Sequence, residues 1–244
     1  MSFARKRGLA IIVVVLAAAL ALVARKAADG PPTRPADQRP MLLLLTSLPI
    51  IFGEGFSLEE TGSPALSALE SRYRVLPIST TDEAELAKGN LLLMAQPIAQ
   101  VPENLVSLDK WVRRGGRVLL LADPMLEWPS KRPLGDRLRP PIMFGDTGLL
   151  AHWGLRLDAP DERGPVMLGG GHNPVMFISP GRLVASGHNC SLFRADIIAD
   201  CKIGRGRAVV VADADLLDPK IPTLQNPSID NSVELLGLLD ALDG

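Results

Sequence analysis

Five polar side chains stand where apolar runs stop. Ser47 follows "MLLLLT", Gln96 follows "LLLMA" and Asp123 follows "RVLLLA"; Asp213 and Asp215 close "AVVVADAD". If each run is a strand of a parallel sheet, these residues gather along one rim. Ligands of open α/β sheets bind at that rim, outside the carboxyl ends of the strands. Three carboxylates there can hold a divalent cation through oxygen ligands. Aspartate also caps turns and the helices that follow them, and Pro124 directly after Asp123 favours that role. No complete ligand motif accompanies the acids, so no metal or other cofactor is assigned. Glu54, in the glycine-bearing loop "TSLPIIFGEGFS" after the first run, completes the candidate ligand-binding set.

Other chemistry finds less footing. The loop after the first run lacks the G-x-x-x-x-G-K-[ST] spacing that cradles phosphates. Gly169, Gly170 and Gly171 do not follow a first βα turn. No G-x-S-x-G elbow is present, and Ser47 in "LTSLP" lacks the glycines that relieve crowding around a nucleophile. His152, His172 and His188 are the only histidines. His188 and Cys190 are two soft ligands where a metal site needs three or four. Cys190 and Cys201 are the only cysteines. In an exported domain such a pair can form a disulfide, and two buried free thiols are the alternative. Arg205 and Arg207 in "IGRGRAVVV" read as a tight turn before a strand.

These groups need strands to hold them. The spacing predicts a two-sided buried strand over 41–46. A helix follows with Ser63 as N-cap, Pro64 at its first position, and Ala65, Leu66, Leu69 and Tyr73 on its apolar face. A short strand over 74–79, a polar crossing with one helical turn, and a buried strand over 90–97 come next. Leu105, Leu108, Trp111 and Val112 then recur at helical spacing, and Gly115-Gly116 ends that helix. A fourth strand covers 117–124. This alternation predicts an α/β fold: a mostly parallel open sheet with helices on both faces. Residues 125–150 hold Pro129, Pro133, Pro140 and Pro141 and read as a long irregular insert. Its apolar residues Leu126, Trp128, Ile142, Met143 and Phe144 either dock a partner or cover the sheet. Beyond it the pattern predicts a short helix and strand from "GLLAHWGLRL". Short strands with turns at 169–171 and 179–181 follow, then a hairpin into a strong strand over 208–212. The last element is a helix capped by Asp230 or Asn231, with Val233, Leu236 and Leu239 as its stripe.

Composition bounds the function class. The 244 residues are 47% hydrophobic and 22% charged, with a formal net charge of −1, an ordinary globular balance. That charge gives no support for nucleic-acid binding, and aromatics at 4% supply few stacking platforms. The N-terminus sets the compartment. Arg5, Lys6 and Arg7 precede the uncharged run of residues 9–24, and Arg25 and Lys26 close it. As a helix the run spans roughly 25 Å, near the ~30 Å hydrocarbon core. We read residues 1–24 as a membrane anchor. A cleaved signal peptide with a site at Ala19-Leu20-Ala21 and a buried core helix are the alternatives. Residues 25–40, with Pro31, Pro32, Pro35 and Pro40, read as a stiff tether. Residues 41–244 then form a single domain.

Several of these stretches together resemble a known family. "LLLLTSLPIIFGEGF", "LLLMAQP", "LVSLDKWVRRGGRVLLLADPMLEWPS", "PLGDRLRPP" and "GRGRAVVVADADLL" are similar to the auxiliary domain of gliding-motility-type ABC transport systems. The resemblance covers most of residues 41–217. It implies a flavodoxin-like or class I glutamine-amidotransferase-like sheet on the periplasmic side of the inner membrane. It also implies partnership with ABC permease and ATPase subunits. The amidotransferase Cys–His pair is absent, so no catalytic residue carries over. The expected function is that of a non-catalytic, membrane-anchored accessory subunit. A periplasmic ligand-binding or sensing module using the strand-end rim is the alternative, and a divergent hydrolase comes third.

Overall fold

The computed structural model describes residues 33–54, 62–169, 174–218 and 229–244. The proposed membrane anchor over 9–24 lies outside the described residues. Among those described, no helix is long and apolar enough to cross a membrane. The folded unit runs from Arg34 to Gly244 and so begins before Met41. Arg34 is the reason: its backbone N–H donates to Ser71, and its guanidinium pairs with Asp240 and Asp243 at 3.2 and 3.1 Å.

The fold is mixed α/β, built on a seven-stranded, mostly parallel sheet. Its first strands are β1 (Met41–Thr46), β2 (Arg74–Pro77), β3 (Leu91–Ala95) and β4 (Arg117–Leu121). They are short apolar runs because both faces are covered: Leu42, Leu43, Leu44, Leu92, Leu93, Leu119 and Leu120 are wholly buried. The remaining sheet strands are β9 (Cys190–Phe193), β10 (Ile198–Ile203) and β11 (Gly206–Val211). The order is β2-β1-β3-β4-β11-β10-β9. The first five are parallel to one another, and β10 and β9 extend the sheet antiparallel.

Direction reverses at β1. From there the chain moves outward to β2, then returns past β1 to β3 and on to β4. Helix α1 (Pro64–Arg72) makes the first crossover. Helices α2 (Glu83–Leu86) and α3 (Pro102–Arg113) make the next two. Right-handed crossovers in opposite directions put α1 on one face and α2 and α3 on the other. The packing agrees: α2 lies against α3, and α1 lies against the last helix, α5 (Asn231–Asp243). Local signals set these helices. Ser63 accepts the Leu66 N–H at 3.1 Å, Asp82 accepts the Glu85 N–H at 2.9 Å, and Asp230 accepts the Ser232 N–H at 2.9 Å. Helix α3 ends at Gly115, whose φ of +118° lies where other residues are strained. The buried stripe of α5 is Leu235, Leu236, Leu239 and Leu242. Val233 is only half-buried, because α5 is set by its contacts with α1 and the sheet.

The rest of the chain folds back on the sheet. No helix or strand lies between β4 and helix α4 (Leu149–Trp153), so the insert is irregular. Two small antiparallel ribbons follow, β5 (Leu155–Asp158) with β8 (Arg182–Ala185), and β6 (Pro165–Leu168) with β7 (Val175–Ile178). The turn proposed at 169–171 falls partly outside the described residues. Strands β10 and β11 form a hairpin turning at Gly204-Arg205. Gly206 opens β11 where a side chain would overlap the Val112 and Gly116 carbonyl oxygens, so glycine lets α3 and β11 meet. Cys190 and Cys201 face each other across β9 and β10 and are joined by a disulfide. Cys190 is therefore not available as a metal ligand beside His188.

The disulfide closes a loop with a sequence separation of 11. By loop-closure entropy it is worth about 3 kcal/mol. Cys190→Ser with Cys201→Ser is expected to lower unfolding free energy by roughly that amount, measured by urea titration with and without reductant.

Candidate functional site

The point where strand order reverses, between β1 and β3, is where open α/β sheets place ligands. Here, among the described residues, side-chain hydrogen bonds span the crevice. Thr46 Oγ1 donates to the Ala95 carbonyl at 2.9 Å and accepts the Leu48 N–H at 2.9 Å. Ser47 Oγ donates to the Gln96 carbonyl. Gln96 adopts a φ of +43° and is fully buried. Its Nε2 donates to the carbonyls of Asp123 and Pro141 at 3.2 and 3.0 Å, and its Oε1 accepts the Asp123 N–H at 3.0 Å. One amide thereby ties β3 to the end of β4 and to the insert.

The three aspartates come together next to it. Asp123 Oδ1 accepts the Met125 N–H at 2.7 Å, and Oδ2 accepts the Ala214 N–H at 2.9 Å. Asp213 Oδ2 accepts the Ile178 N–H and Oδ1 the Leu216 N–H, both at 2.7 Å. Asp215 Oδ2 accepts the Glu127 N–H at 2.7 Å. All three residues are wholly buried. Asp215 Oδ1 is buried with no hydrogen-bond partner among the described residues. The acids thus hold loop backbone together, and their positions come from the ends of β4 and β11.

Burial sets their electrostatics. Desolvation pushes Asp123 up to about 6, against the lowering effect of its backbone donors, with the Glu127 charge pushing further up. Desolvation pushes Asp215 up to about 8, with the charges of Asp123, Asp218 and Glu127 adding to it. Asp213 lies well above the ordinary carboxylate range because it is buried beside Asp123 and Asp215. Asp215, at about 8, therefore keeps its proton at neutral pH, while Asp123, at about 6, is largely ionised there. Among the described residues, no group of three or more His, Cys, Asp or Glu side chains has the geometry to hold a metal ion.

Glu54 stands apart from this cluster and anchors the insert. Its Oε2 accepts the Lys131 N–H at 2.8 Å and its carbonyl accepts from the Arg132 guanidinium at 3.3 Å. Desolvation raises its pKa, but Ser130, the Lys131 amide, Arg132 and Arg139 outweigh it and hold the carboxyl below its usual range. Three residues belong to the same framework and were not singled out for it by sequence. Glu127 Oε1 accepts from Ser179 Oγ at 2.6 Å, and Ser179 Oγ accepts the Gly164 N–H at 2.8 Å. Asn231 Nδ2 donates to the Met176 and Leu216 carbonyls, and its Oδ1 accepts the Met176 N–H. A buried Ser in the turn "SPG" and the Asn beside the α5 cap were the available signals.

No family model matches the chain, and no curated protein does. Solved structures match its fold. The mmIFT52 N-terminal domain aligns with a TM-score of 0.53 at 14% identity, over 83% of this chain and 97% of that one. Cytoplasmic Protein STM3548 from Salmonella typhimurium aligns with a TM-score of 0.52 at 12% identity, over 83% and 98%. Exo-beta-1,4-mannosidase Op5Man5 from Opitutaceae bacterium strain TAV5 aligns with a TM-score of 0.50 at 11% identity, over 82% of this chain. The match spans 36% of the mannosidase's length. At these identities the likeness is one of fold alone.

The raised acids predict a pH dependence. An ordinary carboxylate titrates near pH 4, so an unfolded chain releases these protons before the folded chain does. The stability these buried acids contribute is then fullest below about pH 4. It falls as pH rises toward about 6 through Asp123 and toward about 8 through Asp215. Asp215→Asn keeps an acceptor for the Glu127 N–H and removes the charge. It is expected to flatten the upper part of that fall and to be more stable than wild type at about pH 8. The gain is at most on the order of 5 kcal/mol. Denaturant titrations at about pH 5 and about pH 8 measure it.

Proposed function

We propose that the chain is a non-catalytic, membrane-anchored accessory subunit of an ABC-type transport system. Its sheet would be of the flavodoxin-like or amidotransferase-like kind, held on the periplasmic side of the cytoplasmic membrane. One contrast carries the reading. The polar rim is spent on internal hydrogen bonds, whereas the insert above it shows apolar side chains to solvent. Leu134 is 78% exposed, Leu138 64%, Met143 60% and Ile142 55%. Leu126, Trp128 and Phe144 pack down against the core instead. Phe52 and Ile98, from the loops after β1 and β3, are exposed as well. Leu134, Ile142 and Met143 line one open depression of the insert, and contiguous exposed apolar surface marks a protein-docking face. The order of the five parallel strands supports the sheet type, and the disulfide supports an oxidising compartment.

The test is co-isolation of the full-length tagged protein from its own membranes in mild detergent, with mass spectrometry of what accompanies it. Permease and ATPase subunits are expected at stoichiometric levels. Leu134→Glu with Met143→Glu is expected to lose them while leaving the thermal midpoint unchanged. A wild-type chain that always emerges alone refutes the accessory-subunit reading.

A second reading, a ligand-binding or sensing module at the same rim, is favoured by the unpartnered, buried Oδ1 of Asp215. Thermal shift against divalent cations and small metabolites checks it. A stabilisation that Asp215→Asn abolishes would favour this reading, and a flat panel would count against it.

A further inference from the structure

The opposite end of the sheet is open and basic. The amino ends of β4 and β11, the far end of β10, the turn before β9 and the last turn of α5 enclose a groove of about 570 Å³. Arg117, His188, Lys202, Arg205 and Arg207 line it. Asp200 is the one acidic side chain in that lining, and it is already taken. Arg207 grips it with Nε at 2.7 Å and Nη2 at 2.6 Å. Arg117 is aimed by the Leu242 carbonyl at 2.9 Å and lies 3.8 Å from the Asp243 carboxylate. Asp243 in turn is shared with Arg34.

Two charges remain unspent. Lys202 and Arg205 are exposed, and among the described residues neither side chain makes an ion pair or hydrogen bond. Both project from the β10–β11 hairpin, whose two strands are joined by a six-pair ladder and whose first strand is tied to β9 by the disulfide. An ammonium and a free guanidinium beside the Arg117 guanidinium suit the oxygens of a phosphate better than those of a lone carboxylate. The volume falls within the range of small-ligand sites and leaves room for an organic group beyond the phosphorus. Geometry also bears on the source. Arg34, where the chain enters the folded unit, bonds to Asp240 and Asp243 on the same last turn of α5 that lines the groove.

We propose that this groove binds phosphoester anions, and that on the anchored protein the phosphoester is the headgroup of an anionic lipid. The lipid source rests on the membrane-anchor reading above; phosphoester binding does not. The site would hold the domain's amino-end rim against the headgroups and fix its orientation.

The test uses full-length protein in neutral detergent, titrated with glycerol phosphate against chloride at matched ionic strength. Binding is read by hydrogen exchange over residues 186–191 and 200–207. Saturable protection is expected, weakened about tenfold or more in Lys202→Gln/Arg205→Gln. The charge-reversed Lys202→Glu/Arg205→Glu should abolish it, and circular dichroism should show both variants folded. Equal responses to glycerol phosphate and chloride, or an unchanged affinity in the Gln variant, overturn the groove. The source is tested in nanodiscs. Protection of the same segments in phosphatidylglycerol discs but not in neutral discs supports the lipid. Protection by glycerol phosphate with none in phosphatidylglycerol discs overturns the lipid source while leaving the groove intact. Carbonate extraction of native membranes reports separately on the anchor, so a failed anchor is not mistaken for a failed site.

Discussion

Everything at the carboxyl end of the sheet depends on buried carboxylates bonding to one another's loops. Asp123 leaves β4 and takes the Ala214 N–H beyond β11. Asp215 leaves β11 and takes the Glu127 N–H of the insert. Asp213 takes the Ile178 N–H at the end of β7. The strand-end segments meet here with backbone donors, those of Ile178, Ala214 and Leu216 buried, and a buried donor without a partner is costly. A carboxylate offers two acceptor oxygens on a short stem, so one residue can satisfy two chains. The opposing cost is like charge in a dry place. Protonation relieves it, and the raised pKa values record the balance.

That balance also shows how the chain itself occupies most of the acceptors of the strand-end acids. In an open site the same three residues would face solvent and seek a counter-ion. Gln96 and the insert remove the solvent, and backbone amides fill five of the six carboxylate oxygens. The remaining oxygen, Asp215 Oδ1, carries no partner, and the high pKa of that same residue lets it hold a proton instead.

The sequence shows the parallel strands and their helices because each signal is local. Ser63 and Pro64 start α1, Gly115 ends α3, and unbroken apolar runs mark strands covered on both faces. It also shows that Ser47, Gln96 and the aspartates sit at strand ends. What those residues do is less legible, since their partners are far away in the chain. Ser179 meets Glu127 across 52 positions, and Asn231 meets Met176 across 55. Pattern alone cannot divide the insert's apolar residues either. Leu126 and Phe144 pack while Ile142 and Met143 are exposed, and the insert is pinned there by the Leu126 N–H on the Ile142 carbonyl and the Phe144 N–H on the Asp123 carbonyl.

The two ends of the sheet therefore invert the usual division of labour in an open α/β fold. The carboxyl-end rim is closed with hydrogen bonds and roofed with exposed apolar side chains, a surface suited to protein. The amino-end rim, ordinarily plain, carries the unspent positive charge. Strands of five or six residues separate the two by roughly 20 Å. A domain held by its basic end against phosphate headgroups would lift its apolar insert about that far above them. The partner it meets would then have to present an apolar face beyond the membrane surface rather than within it. A rigid sheet suits that task, since hydrogen-bonded strands hold a fixed distance between their two ends.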